Sequence, residues 1–162
     1  NDEEAFNIGA RKISISTVGI PEGIKALSEE DKQFNLAVSL HAVTNKLRSE
    51  LVPINLRYPI QSIMQAVDAY INVTNRKVMF EYIMLRDVND SLEQASQLAR
   101  LLKHRLAVVN LIAYNPTTAD LKPSLQSRVN EFKELLEKEG INVAVREPFG
   151  QDIKAACGQL VL

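Results

Sequence analysis

Cysteine is nearly missing from this sequence. The 162 residues contain one, Cys157, so no disulfide can close within the chain, and a reducing cytoplasm is the expected compartment. An excess of cations is missing too. Nineteen Lys and Arg stand against twenty Asp and Glu, a formal net charge of −1, whereas a free-standing nucleic-acid binder usually shows a basic balance or stripe. This argues against the segment as the main source of phosphate contacts but does not exclude chemistry on RNA. No apolar run approaches the roughly 20 residues that cross a bilayer. The start, Asn1-Asp2-Glu3-Glu4, is acidic where a signal peptide is basic and then apolar. No membrane partner is expected, and a chain that opens on Asn1 is expected to be a piece of something longer. Walker, GxGxxG, GxSxG, HExxH and CxxC motifs are all absent, which removes the local signatures of those chemistries.

What is present is ordinary for one soluble domain: 46% hydrophobic and 24% charged residues, in a chain long enough to bury a continuous core. Lys12–Thr17, Leu36–Leu40, Lys77–Met84 and Ala107–Ile112 are rich in β-branched and apolar residues and predict four strands. Leu36–Leu40 reads as apolar on both faces, as in a sheet covered on both sides. Between the strands, Pro21 opens a helix to about Glu29. The helical spacing of Ile60, Ile63, Met64, Val67 and Ile71 predicts another over 60–73. Asp90 and Glu93 have capping-box spacing for a third, and Ser124 caps a fourth that Gly140 ends. Thr44–Arg57 reads as a long loop with one helical turn, and Asn142–Arg146 as a short extra strand before an irregular tail. Alternating strands and helices imply parallel βαβ crossovers. Four units are half of a complete barrel of about 250 residues. The expected fold is therefore α/β, an open arc of partial (β/α) barrel with outer helices. Its first strand would be an unpaired edge, where apolar surface favours a homodimer.

In such architectures ligands bind beyond the carboxyl ends of the strands. Those ends carry Ser16-Thr17, Ser39-Leu40-His41, Met84-Arg86-Asp87 and Tyr114-Asn115-Pro116. Polar residues there also serve as turn and cap residues, so each is weighed between a site and a turn. His41 has no Cys or carboxylate at ligand spacing, which argues against a metal; it lines a polar pocket or caps its strand. His104 lies between Lys103 and Arg105 at a helix end and suits the helix dipole. Cys157, between Ala156 and Gly158, reads on physical grounds as a packed small residue or a reactive thiol.

The same stretches, in order, resemble the RlmN/Cfr-type radical S-adenosylmethionine (SAM) methyltransferases of 23S ribosomal RNA. They are Ile15-Ser-Thr-Val-Gly19, Leu36-Ala-Val-Ser-Leu-His-Ala42, Leu51-Val-Pro-Ile-Asn55, Glu81-Tyr-Ile-Met-Leu85, Val88-Asn-Asp90, Asn110-Leu-Ile-Ala-Tyr-Asn-Pro116 and Asp152-Ile-Lys-Ala-Ala-Cys-Gly-Gln-Leu160. The resemblance implies the carboxy-terminal part of the radical SAM domain over residues 1–162. It also implies SAM and a [4Fe–4S] cluster as cofactors, and ribosomal RNA as partner. Ser16, Ser39, Leu40, His41 and Asn115 match positions that contact SAM. Cys157 matches the cysteine that carries the methyl group before it reaches a ring carbon, C2 or C8, of an adenine. The family's CxxxCxxC loop, its Gly-Met-Gly-Glu motif and its resolving cysteine precede the matched region and are absent, so this chain alone is expected to be inactive. Leu56 stands where many members carry Lys. Arg57-Tyr-Pro and Phe149-Gly-Gln-Asp-Ile look nearer the C8-methylating antibiotic-resistance subgroup. The competing readings are another radical SAM or barrel enzyme sharing only the fold, and a non-catalytic module.

Overall fold

The structure is a computed structural model that describes residues 8–116 and 121–146. Five strands form one sheet: β1 (Ser14–Thr17), β2 (Asn35–Ser39), β3 (Val78–Met84), β4 (Ala107–Ala113) and β5 (Asn142–Arg146). They lie in the sequential order β1-β2-β3-β4-β5, every neighbouring pair parallel. The helices are α1 (Pro21–Ser28), α2 (Asn45–Leu51), α3 (Ile60–Thr74), α4 (Leu92–Leu102) and α5 (Gln126–Lys138), with 3₁₀ turns at Ala10–Lys12 and Pro53–Leu56. Sequential parallel strands joined by crossovers of one hand place the connecting helices on one face. Leu36, Val38, Phe80, Tyr82, Val109 and Leu111 are buried there in a single cluster with Ile24, Ile63, Val67, Leu98, Phe132 and Leu136.

Each boundary has a local cause. Pro21 occupies the first turn of α1, where its missing N–H costs nothing. Asn75 ends α3 in the left-handed conformation at φ 51°, a role that Asn tolerates. Gly19 needs its own freedom: φ is 94°, and an added Cβ would lie 2.6 Å from Ile63 Cδ1. That close approach lets α3 sit against the end of β1. Arg105 clamps the same helix from the other side, pairing Nε and Nη2 with the two oxygens of Asp68 at 2.6 and 2.8 Å.

Several expectations change in detail. The short strand at Asn142–Arg146 is a full member of the sheet, parallel to β4. The first strand begins at Ser14, because Lys12 and Ile13 donate back to Gly9 and Ala10 in a tight turn. Segment 44–57 is not a loop: Thr44 caps α2 through Leu47 N, and a 3₁₀ turn follows. The capping box is one residue later than its spacing suggested, formed by Ser91 and Gln94. Asp90 is instead buried, accepting from Asp87 N at 3.0 Å and Ser124 Oγ at 2.7 Å. Ser124, so engaged, does not cap α5, whose N-cap position is Leu125 without a side-chain bond. Helices cover β2 on one face only; Leu36 and Val38 point into the core cluster, whereas Ser39 is half-buried on the other side.

Candidate functional site

The face turned away from the helices is built from the alternate residues of each strand. Ser39 is paired in register with Glu81, and Glu81 with Asn110; Ser16 lies one strand further out, beside Ala37. Glu81 is the one acidic residue in the five strands. A carboxylate inside an otherwise apolar strand is unfavourable unless it is partnered, and its partners come from two other strands. Ser16 Oγ donates to Glu81 Oε2 at 2.8 Å and Ser39 Oγ donates to the same oxygen at 3.0 Å. Three strands thus meet at one oxygen, near the carboxyl ends of β1 and β2.

The backbone around this point is held equally firmly. Leu40 N and His41 N both donate to the carbonyl of Glu81, at 3.0 and 3.3 Å. His41 takes the left-handed conformation, φ 59°, a turn uncommon for a residue other than Gly. Its ring is fixed by Ile83 N, which donates to Nδ1 at 3.2 Å. A ring nitrogen that accepts carries no proton, so the neutral tautomer has its hydrogen on Nε2. Burial, aided by the nearby Arg48 guanidinium and opposed by Glu81, pushes the His41 pKa down to about 4. The imidazole is therefore neutral at neutral pH. Asn89, fully buried, closes the turn: its Nδ2 donates to His41 O at 2.9 Å and Ile83 O at 2.7 Å, while its Oδ1 accepts from Leu85 N.

Arg48 is the largest fully buried side chain among the described residues. Its guanidinium donates to Val18 O (2.6 Å), Ser39 O (3.1 Å), Leu40 O (3.0 Å) and Asn55 Oδ1 (3.0 Å). Among the described residues no carboxylate pairs with it; strand-end carbonyls do, and burial lowers its pKa. Asn55 completes the hub by donating to Asn45 O and Ser49 Oγ. One cation thus ties the ends of β1 and β2 to the segment that follows them.

No family model matches the chain. A relative from Caldicellulosiruptor saccharolyticus, named a probable dual-specificity RNA methyltransferase RlmN, is 52% identical over 99% of the chain and 47% of its own length. The Spiroplasma citri protein of the same name is 49% identical over 99% and 46%. The crystal structure of a radical SAM methyltransferase from Sphaerobacter thermophilus superposes with a TM-score of 0.94 at 47% identity, covering 98% of the chain and 47% of that structure. Over nearly its whole length the chain is similar to RlmN-type proteins. It spans about half the length of the RlmN-type relatives that it matches. A domain of a pyruvate-formate lyase-activating enzyme from Bacteroides vulgatus, with a TM-score of 0.66 at 11% identity, shares the fold alone.

On this scaffold the residues singled out in the sequence fall into separate groups. Ser16, Ser39 and His41 converge around Glu81. Leu40 buries its side chain in the core and turns only its backbone toward that turn. Asn115 is half-buried just beyond the carboxyl end of β4. Thr17 has the turn role: its Oγ1 accepts from Gly19 N at 3.1 Å. Met84 is core, Asp87 is an exposed turn residue at φ 57° and Arg86 holds the carbonyl of Pro123. His104 is an exposed turn residue at φ 68°. Cys157 lies outside the described residues. Glu81, Asn89 and Arg48 were not singled out as site residues. For Glu81 the signal was present, a single carboxylate inside Val78–Met84.

Proposed function

We propose that this chain is the carboxy-terminal part of a radical SAM RNA methyltransferase. In this reading it binds SAM at the strand ends and passes a methyl group through Cys157 to a ring carbon, C2 or C8, of an adenine in 23S ribosomal RNA. The observation that carries the reading is the convergence of Ser16 and Ser39 on Glu81 at the carboxyl rim, in a chain half identical to RNA methyltransferases over its whole length. The residues fit the cofactor: a nucleoside brings hydroxyl donors, and this rim is rich in oxygen acceptors on a face that, among the described residues, no helix covers. SAM, when bound, supplies an electrophilic methyl group and the means of hydrogen abstraction.

The chain's own residues then have distinct tasks. Ser16, Ser39 and Glu81 bind the polar part of the ligand, and Asn115 bounds the rim at β4. The backbone of Leu40 and His41 shapes the turn beside it. Neutral His41 offers a hydrogen at Nε2 without adding charge. Arg48 and Asn89 keep that turn in place. Cys157 receives the methyl group before the RNA does, which requires the thiolate form. The [4Fe–4S] centre does not fit this chain's residues. Such centres are held by several thiolates, and the chain has one cysteine. Among the described residues no three His, Cys, Asp or Glu side chains are grouped to hold a metal. The cluster therefore belongs to residues outside this chain, in the cytoplasmic parent enzyme, and the chain alone is inactive.

The test uses the full-length protein, prepared anaerobically with SAM and a ribosomal RNA substrate. RNA methylation is expected, with an added methyl on the peptide containing Cys157 by mass spectrometry, and Cys157→Ala should abolish the reaction while leaving the fold intact. Full activity in the alanine variant, or a methyl found only elsewhere, ends the carrier role. Absence of any SAM-dependent methylation ends the whole reading.

A further inference from the structure

Just before α3 the chain makes a turn, residues 55–59, whose backbone is held more tightly than a surface connection requires. Arg48 Nη1 donates to Asn55 Oδ1 at 3.0 Å, while Nη2 of the same guanidinium donates to Val18 O and Ser39 O. The turn is therefore fixed at the end of the sheet where β1 and β2 finish. Asn45 clamps it on both sides: its carbonyl accepts from Asn55 Nδ2 at 3.1 Å, and its Oδ1 accepts from Ile60 N at 2.9 Å. Arg57 N and Tyr58 N both donate to Ile54 O at 3.0 Å.

The side chains displayed by this rigid backbone have little to do in the fold. Leu56 is 82% exposed, the most exposed large hydrophobic residue among those described. Arg57 is exposed, and among the described residues its guanidinium makes no hydrogen bond or ion pair. It lies instead over the half-buried ring of Tyr58, with Cζ 5.1 Å from the ring centroid. A held backbone that presents uncommitted side chains is the arrangement of a recognition surface. Its chemistry selects the partner. Unpaired bases stack on aromatic rings and on guanidinium planes, and the same cation attracts a phosphate. An apolar protein surface would strip water from Arg57 without pairing its charge.

We propose that Leu56, Arg57 and Tyr58 form a contact surface for an unpaired nucleotide of RNA. The base stacks on the Arg57–Tyr58 pair with Leu56 at its edge, and Arg57 draws the adjoining phosphate. The inference rests on the reading of this chain as part of an RNA methyltransferase, and it adds a place where the RNA is gripped, separate from the rim that takes the cofactor. The net charge of −1 agrees with it, because one stacked nucleotide needs one well-placed cation and not a basic face.

The full-length protein tests this with two labelled RNA probes of equal length, a hairpin with unpaired loop adenines and a fully paired duplex. Their Kd values are read by fluorescence anisotropy at several salt concentrations, with that of SAM measured in parallel. Tyr58→Ala and Arg57→Gln should each weaken the hairpin about tenfold, the loss of one stacked base, and affect the duplex far less. Arg57→Gln should also lower the slope of log Kd against log salt by about one, whereas Arg57→Lys should keep the slope and lose the stack. Tyr58→Phe, which keeps the ring, should bind the hairpin as the wild type does, and SAM affinity should be the same in every variant. Wild-type hairpin affinity in both Tyr58→Ala and Arg57→Gln would overturn the proposal. Equal weakening of hairpin and duplex would overturn it in favour of a phosphate contact alone, and a parallel loss of SAM affinity in favour of a supporting role at the rim. If the wild type binds SAM but neither RNA, the methyltransferase reading itself falls and this inference with it. Should Tyr58→Ala fail to fold, Arg57→Gln and Leu56→Glu at exposed positions decide. Leu56→Glu sets a carboxylate against the phosphate and should weaken the hairpin, and undiminished affinity in both variants refutes the proposal.

Discussion

The two faces of the sheet are made from alternate residues of the same five strands, yet they are built on different rules. The face toward the helices carries Leu36, Val38, Val78, Phe80, Tyr82, Val109 and Leu111, all buried in one cluster. The opposite face carries Ser16, Ser39, Met79, Glu81 and Asn110, none of them fully buried. Stability resides on the first face, where apolar area leaves water. The second gathers hydroxyl, carboxylate and imidazole groups held by each other and by backbone, and it is the face on which the proposed function places the ligand. The separation is sharp because a strand alternates its side chains, so adjacent residues can serve unrelated ends.

Phe80 and its neighbour Met79 test that separation most severely. Phe80→Ala should destabilise the protein by about 3–5 kcal/mol, as expected for a large core residue. Met79→Ala, one position away and 36% exposed, should cost less than about 1 kcal/mol. Comparable losses in denaturant melts would break the division between the faces.

Arg48 probes the seam between them. Arg48→Met removes the donors of four hydrogen bonds and leaves buried carbonyls without partners, which should cost about 2–4 kcal/mol. Lys, lacking the planar fork, should restore little of it. A fully stable Met variant would show that water or repacking satisfies those carbonyls as well as the guanidinium does.

Acid should act at the same seam. The folded-state pKa of His41, about 4, lies below its ordinary value of 6.5. Between those values the unfolded chain binds the proton and the native chain does not, so stability falls as pH drops through that window. The contribution is at most about 3 kcal/mol, and it is fully relieved above pH 6.5. His41→Asn, whose residue tolerates the left-handed turn, should lose this pH-dependent part. Parallel stability profiles for the two proteins between pH 7 and pH 4 would remove His41 as its source.

The smallest effect expected is self-association. Ile13, Ile15 and Val145 at the two edge strands are more than a third exposed, and unpaired edges attract partners. The isolated chain should show a homodimer by light scattering at high concentration, and Ile15→Lys should weaken it. A monomer at every concentration would show that the polar residues among them suffice to keep the edges apart.

Much of this architecture was legible in the residues. The strands at 36–40, 77–84 and 107–112 were readable to within a residue or two, because β-branched runs bounded by turn residues are a local signal. Segment 44–57 was misread because its order does not come from periodicity: Arg48 and Asn55 hold it, and their partners Val18, Ser39 and Leu40 belong to the strands. The capping box was displaced for a similar reason. Asp90 has the right spacing to Glu93 but is drawn inward by Ser124, thirty-four positions later. At the rim, position at a strand end singled out Ser16, Ser39 and His41, which gather around Glu81, but could not separate them from Thr17, which serves its own turn.

By itself the sequence determined which residues form strands and helices, which side chains share a face, and that polar groups gather at one end of the sheet, since each of these depends on neighbours a few positions apart. Only the tertiary structure decided register. Ser16, Ser39 and Glu81 are separated by as many as 65 positions, and nothing local makes them meet at one oxygen. Their meeting follows from parallel pairing that aligns Ser39 with Glu81, locked by helices packed behind the sheet and by a buried arginine at the strand ends. Contacts across strands are set by packing over the whole domain, and that information is spread too widely along the chain for any one segment to carry it.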